Sequence, residues 1–229
     1  MHLAELWRYP VKSMSGEMLQ EAVIGPLGVP GDRELYVVDG MGRVVDARGR
    51  PGLLSHRASV DEKGAVTIDG LSWDDPEVAR RVRVAAGEGA RLVRARAGER
   101  FDILPLLVAT DGAIAALGTD RRRLRPNLVL GGVVGLAERA WEGRFLRIGS
   151  VVIGLDSLRQ RCIMTTWDPD TGAQDVGILR RIHDEFGGRM ALNAWPVVGG
   201  KIAVGDRVEL VDDVATGPPP ILGRFASPS

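Results

Sequence analysis

Arg161-Cys162-Ile163-Met164-Thr165-Thr166-Trp167-Asp168-Pro169-Asp170-Thr171-Gly172 contains the only cysteine in the 229 residues of the chain. Ile163 to Trp167 is an apolar run rich in β-branched side chains, and the Asp-Pro-Asp-Thr-Gly that follows is turn chemistry. Cys162 is therefore expected at or just before a strand that ends in a tight turn. Pro169 fixes its own φ and holds Asp168 extended, while Gly172 can supply a positive φ. Arg159 and Arg161 flank the thiol, and positive charge there favours the thiolate, the form that binds metals or attacks electrophiles. A lone cysteine is more often a small buried apolar residue, so the stretch alone leaves both roles open.

The chain around it is long enough for one large all-β domain or two smaller ones. Thirty glycines, thirteen prolines and many valines between short turns favour strands over helices. Thirty basic and thirty acidic residues cancel, so neither nucleic acid nor a membrane is expected as a partner, and a small molecule is. One cysteine excludes a disulfide framework and multi-cysteine zinc sites, and it fits a reducing compartment, with the cytoplasm as the expected location. The opening MHLAELWRYPVK lacks the apolar core of a signal segment, and no run approaches the roughly 18 apolar residues of a membrane span.

Turn residues divide the chain into short strands. Leu3 to Tyr9 reads as a first strand ended by Pro10, Lys12 and Ser13 fall in a loop, and Glu21 to Ile24 is a second strand. The Gly/Pro-rich turn from Gly25 to Gly31 then leads to Asp32-Arg33. Leu35 to Val38 and Arg43 to Asp46 flank Asp39-Gly40-Met41-Gly42, and Ser59-Val60 and Val66 to Ile68 flank Asp61-Glu62-Lys63-Gly64; both are hairpin patterns. Arg81 to Val84 and Arg91 to Arg94 alternate at period two and are expected as half-buried strands. Leu104 to Val108 is a continuous apolar run, followed by a short helix from Gly112 to Leu117 with Thr110 or Asp111 as its N-cap.

Arg121 to Arg123 reads as a solvated face, whereas Arg125-Pro126-Asn127 abuts the strand Leu128 to Leu130. A helical turn is expected at Ala137 to Glu142 and a strand pair over Phe145 to Leu155. The pattern predicts a helix over Val176 to Phe186, stopped by Gly187-Gly188, with His183 on its solvated face. Met190 to Trp195 and Ile202 to Val211 complete the strands, and the proline-rich end is expected to be a flexible tail. No phosphate-binding Gly loop, histidine cluster at metal-ligand spacing or Gly-X-Ser-X-Gly nucleophile motif is present.

Four short pieces stand out: Tyr9-Pro10-Val11-Lys12-Ser13, Gly31-Asp32-Arg33, Arg125-Pro126-Asn127 and the Cys162 stretch. In this order they resemble the MOSC proteins, named for the C-terminal domain of molybdenum cofactor sulfurase, and especially the amidoxime-reducing branch. The resemblance covers the chain to about Val211. It implies a mainly β fold with a few short helices: an N-terminal β domain over residues 1–100, a MOSC β-barrel over 101–213 and a tail over 214–229. It further implies a molybdenum pyranopterin cofactor, with Cys162 as the protein's thiolate ligand to the metal. Lys12 and Arg33 match the family's cofactor-contacting basic residues. Arg125 offers a planar fork for a phosphate, Ser13 and Thr110 offer hydroxyls, and Asn127 offers both donor and acceptor. Asp111 is expected to cap the helix, because an acid would repel a phosphate, and Asp168 and Asp170 are expected to shape their turn.

Leu158-Arg159-Gln160-Arg161 departs from the family's upstream pattern, which commonly holds a small residue and often a second cysteine; Gln160 is there placed to alter substrate access. The activity implied is reduction of N-hydroxylated small molecules such as hydroxylamines and amidoximes. With no electron-transfer module in view, the electrons are expected from a separate ferredoxin, flavodoxin or cytochrome type protein. Two other functions stay open: a non-catalytic carrier of the cofactor or of persulfide, and a β-barrel interaction protein without cofactor.

Overall fold

The computed structural model describes residues 1–212 together with 214, 217, 219, 222 and 223; the expected tail falls mostly outside these. The first strands are β1 (His2–Arg8), β2 (Glu17–Leu19), β3 (Glu21–Ile24), β4 (Leu35–Val38) and β5 (Val44–Val45). They are followed by β6 (Ala58–Val60), β7 (Val66–Ile68), β8 (Leu71–Ser72), the helix α1 (Pro76–Ala86) and β9 (Arg91–Arg94). Next come β10 (Leu106–Thr110), α2 (Asp111–Leu117), β11 (Leu128–Gly131), β12 (Phe145–Ile148) and β13 (Val151–Gln160). The last elements among the described residues are α3 (Val176–Phe186), β14 (Arg189–Val198), β15 (Gly200–Ala203) and β16 (Val208–Val211). The fold is mainly β, as expected, and among the described residues no helix is long and apolar enough to cross a membrane.

The main sheet has eight strands in the order β16-β12-β13-β14-β10-β11-β1-β2, antiparallel except for the parallel pair β10 and β11. Its edge strands do not pair, so the expected closed barrel is not formed among the described residues. The Leu3 amide donates to the Asp206 carbonyl at 2.9 Å and the Val208 amide to the Met1 carbonyl at 3.0 Å, so the start of β1 is fastened to the approach to β16. The first hundred residues supply β1 and β2 to this sheet, and β3 pairs with β15. Leu3, Leu6, Leu106, Val108, Leu128, Leu146, Ile153 and Leu192 fill its core.

A second core forms between the β4–β5–β9 sheet, the β6–β7–β8 meander and α1, around Val11, Leu35, Val37, Leu53, Ile68, Val78 and Val82. Met164 and Trp167, from the cysteine stretch, pack against it. The cysteine is thereby held between the two cores.

Two expected elements differ. Arg81 to Val84 lies within α1, because the four-residue spacing of Val78, Val82 and Ala86 buries one helical face, the Asp75 carboxylate accepts from the Glu77 amide and Pro76 is preset for the first turn. β9 pairs with β4 instead. Ile163 to Thr166 is a 3-10 turn rather than a strand, so β13 ends before Cys162. By contrast, α3 spans the expected residues, with Asp175 as its cap and Gly187 at φ 63° closing it in the left-handed conformation.

Candidate functional site

β13 is long and irregular at its end. Its register against β14 shifts between Leu155 and Leu158 and again before Gln160, where Ala191 of β14 takes φ 63°. Such bulges re-aim the chain. The Arg161 amide then donates to the Gly188 carbonyl at 2.9 Å and Cys162 runs extended into the 3-10 turn. The Thr165 amide and hydroxyl both donate to the Cys162 carbonyl, at 3.0 and 2.9 Å, so buried Thr165 sets the cysteine's backbone. Asp168 accepts from the Asp170 and Thr171 amides and shapes the following turn, as expected.

The arginine run supports the same loop. Arg123 is buried: its guanidinium donates to the Thr166 carbonyl at 2.9 Å and to Asp168 at 2.8 Å. Arg122 bridges Asp120 and Asp170, and Arg121 pairs with Glu5. The expected solvated face is therefore a set of ion pairs, because the chain folds the acidic 168–170 turn onto it.

Cys162 lies in a cleft with Lys12, Ser13, Arg33, Arg125 and Asn127, five of the six other expected site residues. Three of these adopt a left-handed backbone: Ser13 at φ 73°, Arg33 at 50° and Arg125 at 56°. Each costs on the order of 1–3 kcal/mol and persists only where its surroundings over-determine it. The Lys12 amide donates to the Leu35 carbonyl, and the Ser13 hydroxyl accepts from the Ala47 amide at 3.0 Å. Arg33 pairs with buried Asp32, whose other oxygen accepts from the Tyr9 amide at 2.7 Å. Asn127 accepts from the Leu107 amide at 3.2 Å and donates to the Trp7 carbonyl at 3.3 Å, which ties β10 to β1.

Arg125 lies over the Tyr9 ring at 4.3 Å and Arg33 over the same ring at 5.3 Å. Burial pushes the Tyr9 phenol up to about 12, against the pull of the two guanidiniums. Burial likewise brings Arg125 down to about 10, which leaves it charged at neutral pH.

Arg48, Asp102, Gln160 and Asn193 also line the cleft. Asp102 carried no motif, yet it accepts from Lys12, from Arg48 at 2.8 Å and from Arg159 at 3.1 Å. Burial alone would raise its carboxyl; the Lys12, Arg48 and Arg159 cations outweigh this and hold it well below the usual range. Burial lowers the Lys12 ammonium, and Asp102 partly restores it. The Arg48 guanidinium is held up by the Cys162 side chain and Asp102 despite its own burial.

Thr110 is not part of the cleft. Fully buried at the far end of β10, its hydroxyl accepts from the Ala113 amide and donates to Glu138 at 3.2 Å. It caps α2, whereas Asp111 binds the Gly132 and Val133 amides. His183 is exposed on α3, as expected.

Residues 1–100 match the model of the MOSC N-terminal beta barrel domain, and residues 109–209 match that of the MOSC domain. The chain belongs to the MOSC family. It is 28% identical to mitochondrial amidoxime reducing component 2 of Macaca fascicularis and 27% identical to that of Homo sapiens, each over 76% of this chain and 68% of the relative. Mitochondrial amidoxime-reducing component 1 of Homo sapiens is 25% identical over 74% of this chain and 67% of its own length.

In this MOSC chain the cleft suits an anionic group that brings its own metal ligands. Lys12, Arg33, Arg48, Arg125, Arg159 and Arg161 line it against only Asp46 and Asp102 among the described residues, where neither Arg125 Nη2 nor Arg161 Nε has a hydrogen-bond partner. Among the described residues no three His, Cys, Asp or Glu side chains gather as a metal-ligand set.

Proposed function

We propose that the chain binds a molybdenum pyranopterin cofactor in this cleft and uses it to reduce N-hydroxylated small molecules, hydroxylamines or amidoximes. The observation that carries the reading is the convergence of one thiol with Lys12, Arg33, Arg125 and Asn127, drawn from four separate segments. The similarity to amidoxime reducing components supports the reaction class.

Bound there, the cofactor supplies oxygen-atom and two-electron chemistry. Cys162 would give the protein's thiolate ligand, with Arg48, Arg159 and Arg161 lining the cleft beside it. Lys12, Arg33 and Arg125 would hold the cofactor's phosphate, with the Ser13 hydroxyl beside them. Asn127 would orient Arg33, whose guanidinium donates to its carbonyl oxygen at 3.4 Å. Asp102 stays ionised among its three cations, so it positions them and does not deliver a proton at neutral pH. The balance is N-OH plus two electrons and two protons giving N-H and water. The electrons would come from a separate ferredoxin, flavodoxin or cytochrome type protein, and the single unpaired cysteine supports a reducing compartment, for which the cytoplasm is our reading.

The test is reduction of benzamidoxime to benzamidine by cofactor-loaded protein with an artificial electron donor. Turnover that disappears in Cys162→Ala is the expected result. Loaded protein that holds metal and pterin but forms no benzamidine would contradict the enzyme reading and leave a carrier.

A further inference from the structure

Behind the thiol cleft lies a second chamber of about 500 Å³, and Arg125 and Met164 line both. Its walls are of two kinds. Trp7 and Trp167 offer flat aromatic surface, and Arg57, Arg123 and Arg125 offer positive charge.

The charge is only partly spent. The carboxylates lining the chamber, Glu17 and Asp170, already pair with Arg8 and Arg122, and Arg123 pairs with Asp168. Arg57 and Arg125 have no carboxylate partner among the described residues. Hydrogen-bonding capacity is unspent too. Six buried side-chain polar atoms lack a partner among the described residues, and four belong to residues of this chamber: Tyr9 Oη, Arg123 Nε, Arg125 Nη2 and Trp167 Nε1. Tyr9 and Arg123 are 2% and 9% exposed, so bulk water does not serve them. The arginine and tryptophan nitrogens can only donate, and the phenol, with its proton held by burial, can donate as well. Each buried donor left unpaired is costly, and a chamber of this size is within the range of small-molecule sites.

From this we propose that the chamber is a binding site for a planar aromatic carboxylate, its ring against Trp7 and Trp167 and its carboxylate toward Arg57. This site adjoins the thiol cleft at Arg125 and Met164 and does not rest on the cofactor reading. The aromatic walls favour a flat ring, and the Arg57 guanidinium, without a carboxylate partner among the described residues, favours an anion over a neutral ligand.

The full chain is titrated with 2-naphthoate, followed by tryptophan fluorescence and calorimetry, with 2-naphthamide as the neutral counterpart. One saturable site is expected, at least tenfold weaker for the amide and in Arg57→Gln, lost in Ser55→Trp, which fills the chamber from its rim, and unchanged in Cys162→Ala. Circular dichroism and thermal melts confirm that each variant is folded. Absence of saturable binding to the wild-type chain overturns the proposal. So does binding that survives in folded Arg57→Gln and Ser55→Trp but is lost in Cys162→Ala, since that places the ligand in the thiol cleft.

Discussion

At its first residues β10 borders the thiol cleft; at its last it caps α2. Both ends are buried and polar, yet their side chains differ in what remains unspent. At the far end Thr110 is shared between the Ala113 amide and Glu138, and Asp111 takes the Gly112, Gly132 and Val133 amides. Polar groups there serve the backbone. At the near end six cations face two carboxylates, two guanidinium nitrogens have no partner among the described residues, and three residues hold a costly left-handed backbone. Polar burial alone therefore does not mark a functional site. Unspent donors and maintained strain do.

The largest effect is expected at the residue that fixes the near end. Asn127→Ala removes the acceptor for the Leu107 amide and the donor to the Trp7 carbonyl, leaving both groups without these bonds, and should cost about 3 kcal/mol. Denaturant unfolding measures it; a loss under about 1 kcal/mol would mean β10 and β1 are held together without it. Lys12→Ala should weaken cofactor binding by about 10- to 100-fold, the worth of one charge-assisted bond, while Asp102 keeps Arg48 and Arg159. Retained pterin after equal loading reports it, and unchanged retention would remove Lys12 from the site.

Thr110→Ala sharpens the comparison from the other side. Loss of the cap should cost about 1 kcal/mol, a fall of about 2–4 °C in Tm, with cofactor content unchanged. A variant that melts normally but loses cofactor would return Thr110 to the site. The smallest effect is a pH dependence. Asp102 has its folded pKa depressed, so its contribution is complete above the ordinary carboxylate pKa of about 4 and is lost as pH falls further. Asp102→Asn should flatten the loss of stability on acidification below about pH 4; an unchanged slope would show that the three cations do not act through it.

Much of this was legible in the chain. Cys162, Lys12, Arg33, Arg125 and Asn127 could be singled out because their four short segments, in this order, resemble the motifs of the MOSC proteins, and the folded chain brings them together in one cleft. Thr110 caps α2 as the sequence allowed, but it stays out of the cleft that the resemblance also assigned it to, because a hydroxyl before a helix suits a cap and an anion equally and the choice depends on Glu138, distant in sequence. Asp102 and Arg48 were missed because their meaning lies in three-dimensional charge balance: each is an ordinary charged residue in its own segment. Arg81 to Val84 shows the limit of a four-residue window, where alternation at period two hid the Val78–Val82–Ala86 face. The Asp75-Pro76 start was the signal that could have corrected it. Arg123 is a similar case, since a run of three arginines gives no hint that one anchors the 165–168 backbone.

The most direct test of the central claim is the molybdenum and pterin content of the chain purified from a cofactor-competent host, for wild type and Cys162→Ala. The expected result is about one metal and one pterin per wild-type chain, as a single thiolate ligand requires, with the metal lost in the variant. Wild-type protein that carries neither, even after loading with isolated cofactor, would contradict the account.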